Sequence, residues 1–253
     1  GSTMSDIANK VETLMEAMPY LQKYQGKIIV IKYGGNAMIN EELKDAVMHD
    51  VVLLKLLGMK PVLSHGGGPG INKMLEKLNI PVEFIEGLRY TSADIMRVVE
   101  MVLVGQVNTE LVGFINKLGG KAVGLSGVSG DIYHCHQRDE VHGYVGDIDY
   151  VDPKPIFAML DAGYIPVIAP VGTDGQGHTF NINGDTAAGK LASALGAEKL
   201  VILTDIEGLC NDIKIRDVIS YLNIEDVKAL KDKGTIAGGM IPKVDCCVQA
   251  IEE

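Results

Sequence analysis

Short runs of branched aliphatic residues, each cut off by a glycine or a polar turn, constrain this chain more than any other feature. They stand at 27–32 (KIIVIK), 61–64 (PVLS), 122–126, 165–169 (IPVIA) and 200–204 (LVILT), with helical spacing of apolar residues between them. A strand apolar on both faces needs cover on both, and a helical crossover supplies it. The pattern therefore predicts an α/β fold: a three-layer α/β/α sandwich around an open, mainly parallel central sheet. Aromatics are only 5% of the 253 residues and Trp is absent, while hydrophobic residues reach 47%. The core must then be aliphatic, which suits buried parallel strands.

Helices are expected over 5–24, 41–57, from near Gly70, from a cap at Thr91 or Ser92 with Asp94 in the first turn, and over 155–162, 186–195 and 242–253. Pro19 should bend or interrupt the first of these. Residues 131–149 read as a β-hairpin. The polar turn at 172–177 suggests a lobe boundary near 175.

The net charge of -10 argues against a nucleic-acid or anionic-membrane partner, since both need a basic surface. Cys135, Cys210, Cys246 and Cys247 show no C-x-x-C spacing, which fits a reduced, cytoplasmic compartment. No stretch reads as long and apolar enough to span a bilayer. The opening Gly1-Ser2-Thr3 reads as a cloning remnant before Met4 rather than a signal peptide.

Glycine turns follow strands at Gly34-Gly35, Gly66-Gly67-Gly68 and Gly238-Gly239. Glycine lets backbone N–H groups approach an anion with no Cβ in the way, and the latter two precede helix starts. Any one of them alone is an ordinary turn; together they favour anion binding. Gly184 to Lys190 has Walker A spacing, but Leu191 stands where Ser or Thr should bind Mg²⁺ and Asp185 sits where phosphates belong, so a P-loop is rejected. Lys32 closes an apolar strand beside a glycine turn and is read as functional. For Lys243 the residue pattern alone does not separate function from a solvated lysine. Asn181, Asn183 and Asp185 alternate, placing all three on one face if the segment is extended; the alternative is an Asx turn with a helix cap. Arg89 offers a fork for a carboxylate. His134-Cys135-His136 reads as surface hairpin rather than metal site, and no metal ligands are assigned. His65 is either a base or structural.

Taken in order, 31–38 (IKYGGNAM), 64–69 (SHGGGP), 87–89 (GLR), 181–185 (NINGD), 203–209 (LTDIEGL) and 238–244 (GGMIPKV) resemble the acetylglutamate kinases, with their amino acid kinase fold. The resemblance implies transfer of a phosphoryl group from ATP, carried with Mg²⁺, to the side-chain carboxylate of N-acetyl-L-glutamate, a step of arginine synthesis. It implies Lys32 and Lys243 as the lysines that neutralise the phosphoryl group, and Asp185 as the residue that orients them. Gly67, Gly68, Arg89 and Asn181 take the substrate. Gly35, Asp205, Ile206, Glu207, Gly208, Leu209, Cys210, Gly238, Gly239 and Met240 take ATP. Residues 1–25 resemble the helix that joins dimers into arginine-inhibited hexamers, with Tyr20 and Lys199 at the inhibitor site. Residues 26–175 then form the acetylglutamate lobe with the dimer interface. Residues 176–253 form an ATP lobe that stops short of the family's usual end. A P-II signalling protein is a further implied partner. Rival readings are a carbamate, glutamate or uridylate kinase, or an inactive arginine sensor. Arg89 and Asn181 speak against a carbamate kinase, which has no α-carboxylate to clamp.

Overall fold

The computed structural model describes residues 3–203 and 248–249. Helix α1 (Met4–Tyr24) leads into β1 (Ile28–Tyr33), α2 (Glu41–Leu56), β2 (Lys60–His65) and α3 (Gly68–Lys77). Two short strands, β3 (Phe84–Ile85) and β4 (Leu88–Arg89), form a small antiparallel hairpin. One continuous helical rod follows: α4 (Ala93–Glu100), a π-helical segment (Met101–Asn108) and α5 (Thr109–Lys117). Then come β5 (Ala122–Ser126), β6 (Tyr133–Gln137), β7 (Gly146–Val151), α6 (Lys154–Asp161), β8 (Ile165–Ala169), β9 (Val171–Thr173), β10 (Thr179–Asn181), α7 (Gly184–Leu195), β11 (Lys199–Leu203) and β12 (Val248–Gln249).

The central sheet runs β12-β11-β1-β2-β8-β5, parallel except for β12. The pleat sends alternate residues to opposite sides. Ile29 and Ile31 of β1, Leu63 of β2 and Val201 of β11 join one core with α2 to α5. Val30, Val62, Leu200 and Ile202 join the other, with α6, α7 and the second sheet. This second sheet, β10-β9-β6-β7, contains the expected hairpin as β6 and β7. The three layers and the mainly parallel sheet are as the strand pattern predicted.

Several expectations are corrected. Helix α1 runs unbroken through Pro19, because a single missing N–H removes one bond from a long ladder. Thr3 caps α1: its hydroxyl accepts from the Asp6 N–H and the Asp6 carboxylate accepts from the Thr3 N–H. Helix α3 starts two residues before Gly70, with Pro69 in its first turn. Within the helix expected over 242–253, Val248 and Gln249 instead pair antiparallel with β11. The backbone groups of an open edge strand need partners, and these two residues supply some of them.

The rod Ala93–Lys117 overturns the reading that no stretch could span a bilayer, since by length and composition it qualifies. Its Ile95, Val99, Val102, Leu103, Leu111 and Ile115 are buried in the protein core, which makes it a core helix of this fold.

Candidate active site

Strand order reverses beside β1: its chain-order successor β2 lies on one side and β11 on the other. A crevice forms outside the carboxyl ends of the strands at such a point. Here it is a cleft of about 220 Å³, walled by the turns after β1 and β2, the start of α7 and the β3–β4 hairpin.

Lys32 shares parity with Val30, so it points to the side of the sheet that carries α7. Its side chain is 12% exposed, and its Nζ lies 3.1 Å from Asp185 Oδ1. Glycines make room for it. A Cβ on Gly34 would stand 2.8 Å from Nζ, and one on Gly184 would stand 3.3 Å from Cε. Asp185 is in the first turn of α7, whose cap is Asn183: the Asn183 Oδ1 accepts from the Asp185 and Thr186 N–H groups. The extended one-face reading of Asn181, Asn183 and Asp185 is therefore corrected. Only Asn181 lies on a strand, because capping bends the chain into helix at Gly184. Lys190 lies on that same helix, as the rejection of a P-loop required.

The first two glycine turns touch. Gly66 donates its N–H to the Tyr33 carbonyl at 2.9 Å, and a Cβ on Gly34 would lie 3.2 Å from the Gly66 Cα. Gly67 and Gly68 then open α3, where the first N–H groups have no intrahelical acceptor. A Cβ on Gly67 would fall 2.4 Å from Leu103 Cδ2, which is itself buried, so the loop has no space for a side chain.

Arg89 closes the far end. It is 6% exposed, its Nη2 donates to the Gly68 carbonyl at 3.4 Å, and its guanidinium lies 4.8 Å from the Phe84 ring centroid. Its Nη1 is buried with no partner among the described residues. A buried unsatisfied N–H is costly, so this end of the cleft is built for an acceptor. The Thr91 hydroxyl donates to the Arg89 carbonyl and accepts from Asn181 Nδ2, tying β4 to β10 across the cleft mouth. One cation thus stands at each end of the glycine loop, despite the chain's overall negative charge.

The structure brings Lys32, Gly35, Gly67, Gly68, Arg89 and Asn181 to one cleft, with Asp185 against Lys32. Lys199 lies elsewhere, buried at the start of β11, with its Nζ 5.9 Å from the Tyr24 ring centroid at the end of α1. Tyr20 is on α1, and its side chain is outside what the structure describes. Lys243, Asp205, Ile206, Glu207, Gly208, Leu209, Cys210, Gly238, Gly239 and Met240 lie outside the described residues.

His65 is not a base here. It is fully buried, its Nδ1 lies 2.8 Å from the Gly66 carbonyl and its Nε2 lies 3.0 Å from Asn108 Nδ2. Burial pushes its pKa down to about 4. In the β6 hairpin the pleat turns Cys135 into the core, while His134 and His136 pair with Asp131 and Asp149. Among the described residues no three His, Cys, Asp or Glu side chains cluster as a metal site.

Sequence reasoning missed Phe84, Thr91 and Asn108. Phe84 sits in a stretch without periodicity. For Asn108 there was one signal: a polar residue ending the apolar run 101–108 (MVLVGQVN).

Residues 27–253 match the model of the amino acid kinase family. An acetylglutamate kinase of Heliobacterium modesticaldum is 51% identical, over 96% of this chain and 87% of that protein. The chain belongs to the acetylglutamate kinases of the amino acid kinase family. A second acetylglutamate kinase, from Gloeobacter violaceus, is 50% identical over 97% of this chain and 83% of its own length. Among solved structures, smu.665 from Streptococcus mutans matches this family member with a TM-score of 0.65 at 33% identity, covering 71% of this chain and 73% of that one. An N-acetylglutamate synthase from Neisseria gonorrhoeae, solved with coenzyme A and N-acetyl-glutamate, matches with a TM-score of 0.68 at 26% identity, over 79% of this chain and 46% of that one.

Proposed function

We propose that this enzyme phosphorylates the side-chain carboxylate of N-acetyl-L-glutamate with Mg·ATP, giving the acyl phosphate and ADP in arginine biosynthesis. The observation that carries the reading is the cleft's polarity: an unpartnered Arg89 N–H at one end, Lys32 at the other, and the Gly66–Gly68 loop between them. An acyl amino acid with two carboxylates matches this spacing of charge. Its α-carboxylate takes Arg89, with Asn181 on the acylamino group, and its side-chain carboxylate reaches towards Lys32.

A side-chain carboxylate is ionised at neutral pH, its pKa being about 4.3. It attacks the γ-phosphorus without a base, forming a new O–P bond as the bond to the β-phosphate oxygen breaks. The protein's task is positioning and charge neutralisation. Lys32, steered by Asp185, and the Gly67 and Gly68 amides meet the growing negative charge from the acyl side. The open turn at Gly35 faces the phosphates. Lys243, the 205–210 segment and Gly238 to Met240 are assigned to ATP by resemblance, within an ATP lobe over 176–253 set against an acetylglutamate lobe over 26–175. Mg²⁺ enters on the ATP phosphates.

Regulation follows from α1. Met4, Ile7, Val11, Met15 and Met18 are exposed along it, an apolar stripe that suits pairing with the same helix of another dimer. We assign a homo-oligomer, a trimer of dimers, inhibited by arginine at Tyr20 and Lys199. The cytoplasm is its compartment and a P-II protein a further partner.

The test is ADP release from Mg·ATP with N-acetyl-L-glutamate, L-glutamate or carbamate, each with and without arginine. Turnover with the acetylated substrate alone is expected. Equal turnover with carbamate removes the role given to Arg89.

A further inference from the structure

A fully buried hydrogen-bond relay runs beneath the glycine loop, and no role assigned above uses it. The Asn108 side-chain nitrogen donates to the Val167 carbonyl at 3.0 Å and the Leu125 carbonyl at 3.3 Å, and it faces His65 Nε2 at 3.0 Å. Reversing the amide would aim its oxygen at two carbonyl oxygens, so these neighbours fix its orientation. An amide nitrogen has no lone pair to accept an N–H, so the His65 Nε2 that faces it must be bare. The ring proton sits on Nδ1 and is donated to the Gly66 carbonyl at 2.8 Å.

That bond orients a peptide plane. In a trans peptide the C=O of one residue and the N–H of the next point in opposite directions. Pulling the Gly66 carbonyl down onto buried His65 turns the Gly67 N–H up, away from the core and into the cleft that Gly66 to Gly68 line. Among the described residues no backbone carbonyl accepts from the Gly67 N–H.

The π-helical segment is what brings Asn108 inward. Buried positions along the rod step from the pair Val102 and Leu103 to the pair Val107 and Asn108, a spacing of five, and Gln106 is exposed. In an unbroken α-helix the inward position after Val102 would be residue 106, and Asn108 would turn away from the sheet. Such π segments frequently occur at functional sites.

We propose that His65 and Asn108 are a positioning pair that aims the Gly67 amide at the migrating phosphoryl group, touching neither substrate. This rests on the kinase reading above. The experiment compares wild type with Asn108→Ala, His65→Gln and the double variant, normalised to folded protein. The kcat of Asn108→Ala is expected to fall about 100-fold, as a misplaced contact costs. The KM for N-acetyl-L-glutamate should stay within about threefold, since Arg89 is untouched. The double variant should lose no more than the worse single one, and the Gly67 amide ¹⁵N signal should shift in each. A kcat for Asn108→Ala within about threefold of wild type, or additive losses, overturns the pairing. Where a variant does not fold, the wild-type ring decides: ¹⁵N spectra should show Nδ1 protonated and Nε2 bare, and the opposite tautomer overturns the proposal. A wild type without turnover on N-acetyl-L-glutamate refutes the kinase reading alone, because the tautomer and the Gly67 amide shift still report on the pair.

Discussion

The role proposed for Lys32 rests on one bit of information, the parity of its place on β1. Val30 and Lys32 face α7 while Ile29 and Ile31 face away, so the strand delivers the ammonium to Asp185 and the glycine turns. Lys32→Ala is expected to lower kcat by about 10²–10³ with little change in substrate affinity, the usual cost of removing a preorganised transition-state donor. Rapid-quench turnover with separate binding titrations checks it. Arg89→Ala should instead raise the KM for the acylated substrate by about 10–100-fold, the worth of a charged hydrogen bond. At His65, folding holds the ring neutral down to about pH 4, against an ordinary value of 6.5. The unfolded chain takes up that proton first as pH falls, so stability is lost between pH 6.5 and 4, by about 3 kcal/mol at full shift. Denaturant unfolding at pH 7 and 4.5 should show this loss in wild type and a smaller one in His65→Gln, with the carboxylates common to both cancelling.

The β3–β4 hairpin is the smallest element of the site and carries Arg89, the proposed carboxylate clamp. It is held from outside by His142, which is buried, with Nδ1 2.8 Å from the Asp139 carboxylate and Nε2 3.0 Å from the Ile85 carbonyl. Both ring nitrogens face acceptors, so the doubly protonated ring satisfies both. The hydrogen bond to Asp139 comes first in raising its pKa and the Ile85 carbonyl second, with burial and Arg138 opposing. The sign is the reverse of that at His65. The hold is complete below 6.5 and is lost as pH rises through the elevated folded value. The KM for N-acetyl-L-glutamate is therefore expected to climb on the alkaline side in wild type and to lose that dependence in His142→Gln, measured as KM against pH at saturating ATP. The rod from Ala93 to Lys117 serves the same site through its π segment, which presses Leu103 and Val107 against Gly67. Gly67→Ala should cost activity through displacement of that contact.

At the scale of the molecule, the sheet binds the site into one piece. Strands β1 and β2 supply the glycine turns, β8 and β5 anchor Asn108, and α7 crosses β1 to bring Asp185. Helix α1 joins this assembly at Tyr24, which is buried in the core beside Lys199. On the proposed arginine-inhibited trimer of dimers, deleting residues 1–25 should reduce the solution mass to that of a dimer and abolish arginine inhibition while leaving basal ADP formation, checked by light scattering and coupled assay. A hexamer that survives the deletion removes the helix from the assembly.

The parallel strands were legible because burial on both faces demands continuous aliphatic runs, a local property of the sequence. Lys32 was readable as a candidate because it closes an apolar strand beside a glycine turn, the glycine turns only when taken together, and Arg89 only as a fork that suits a carboxylate. The cap at Asn183 was legible only as the alternative to an extended face, and Cys135 as core and the relay from Val167 and Leu125 through Asn108 and His65 were not. They depend on where the chain bends and on contacts between residues far apart in sequence, as from Asn108 to His65 and Val167. The sequence by itself determined the layered α/β architecture and named the charged candidates Lys32 and Arg89, since periodicity and residue chemistry act locally. Only the tertiary structure decided which way each peptide and ring points, because hydrogen-bond geometry is set by partners that folding alone brings together.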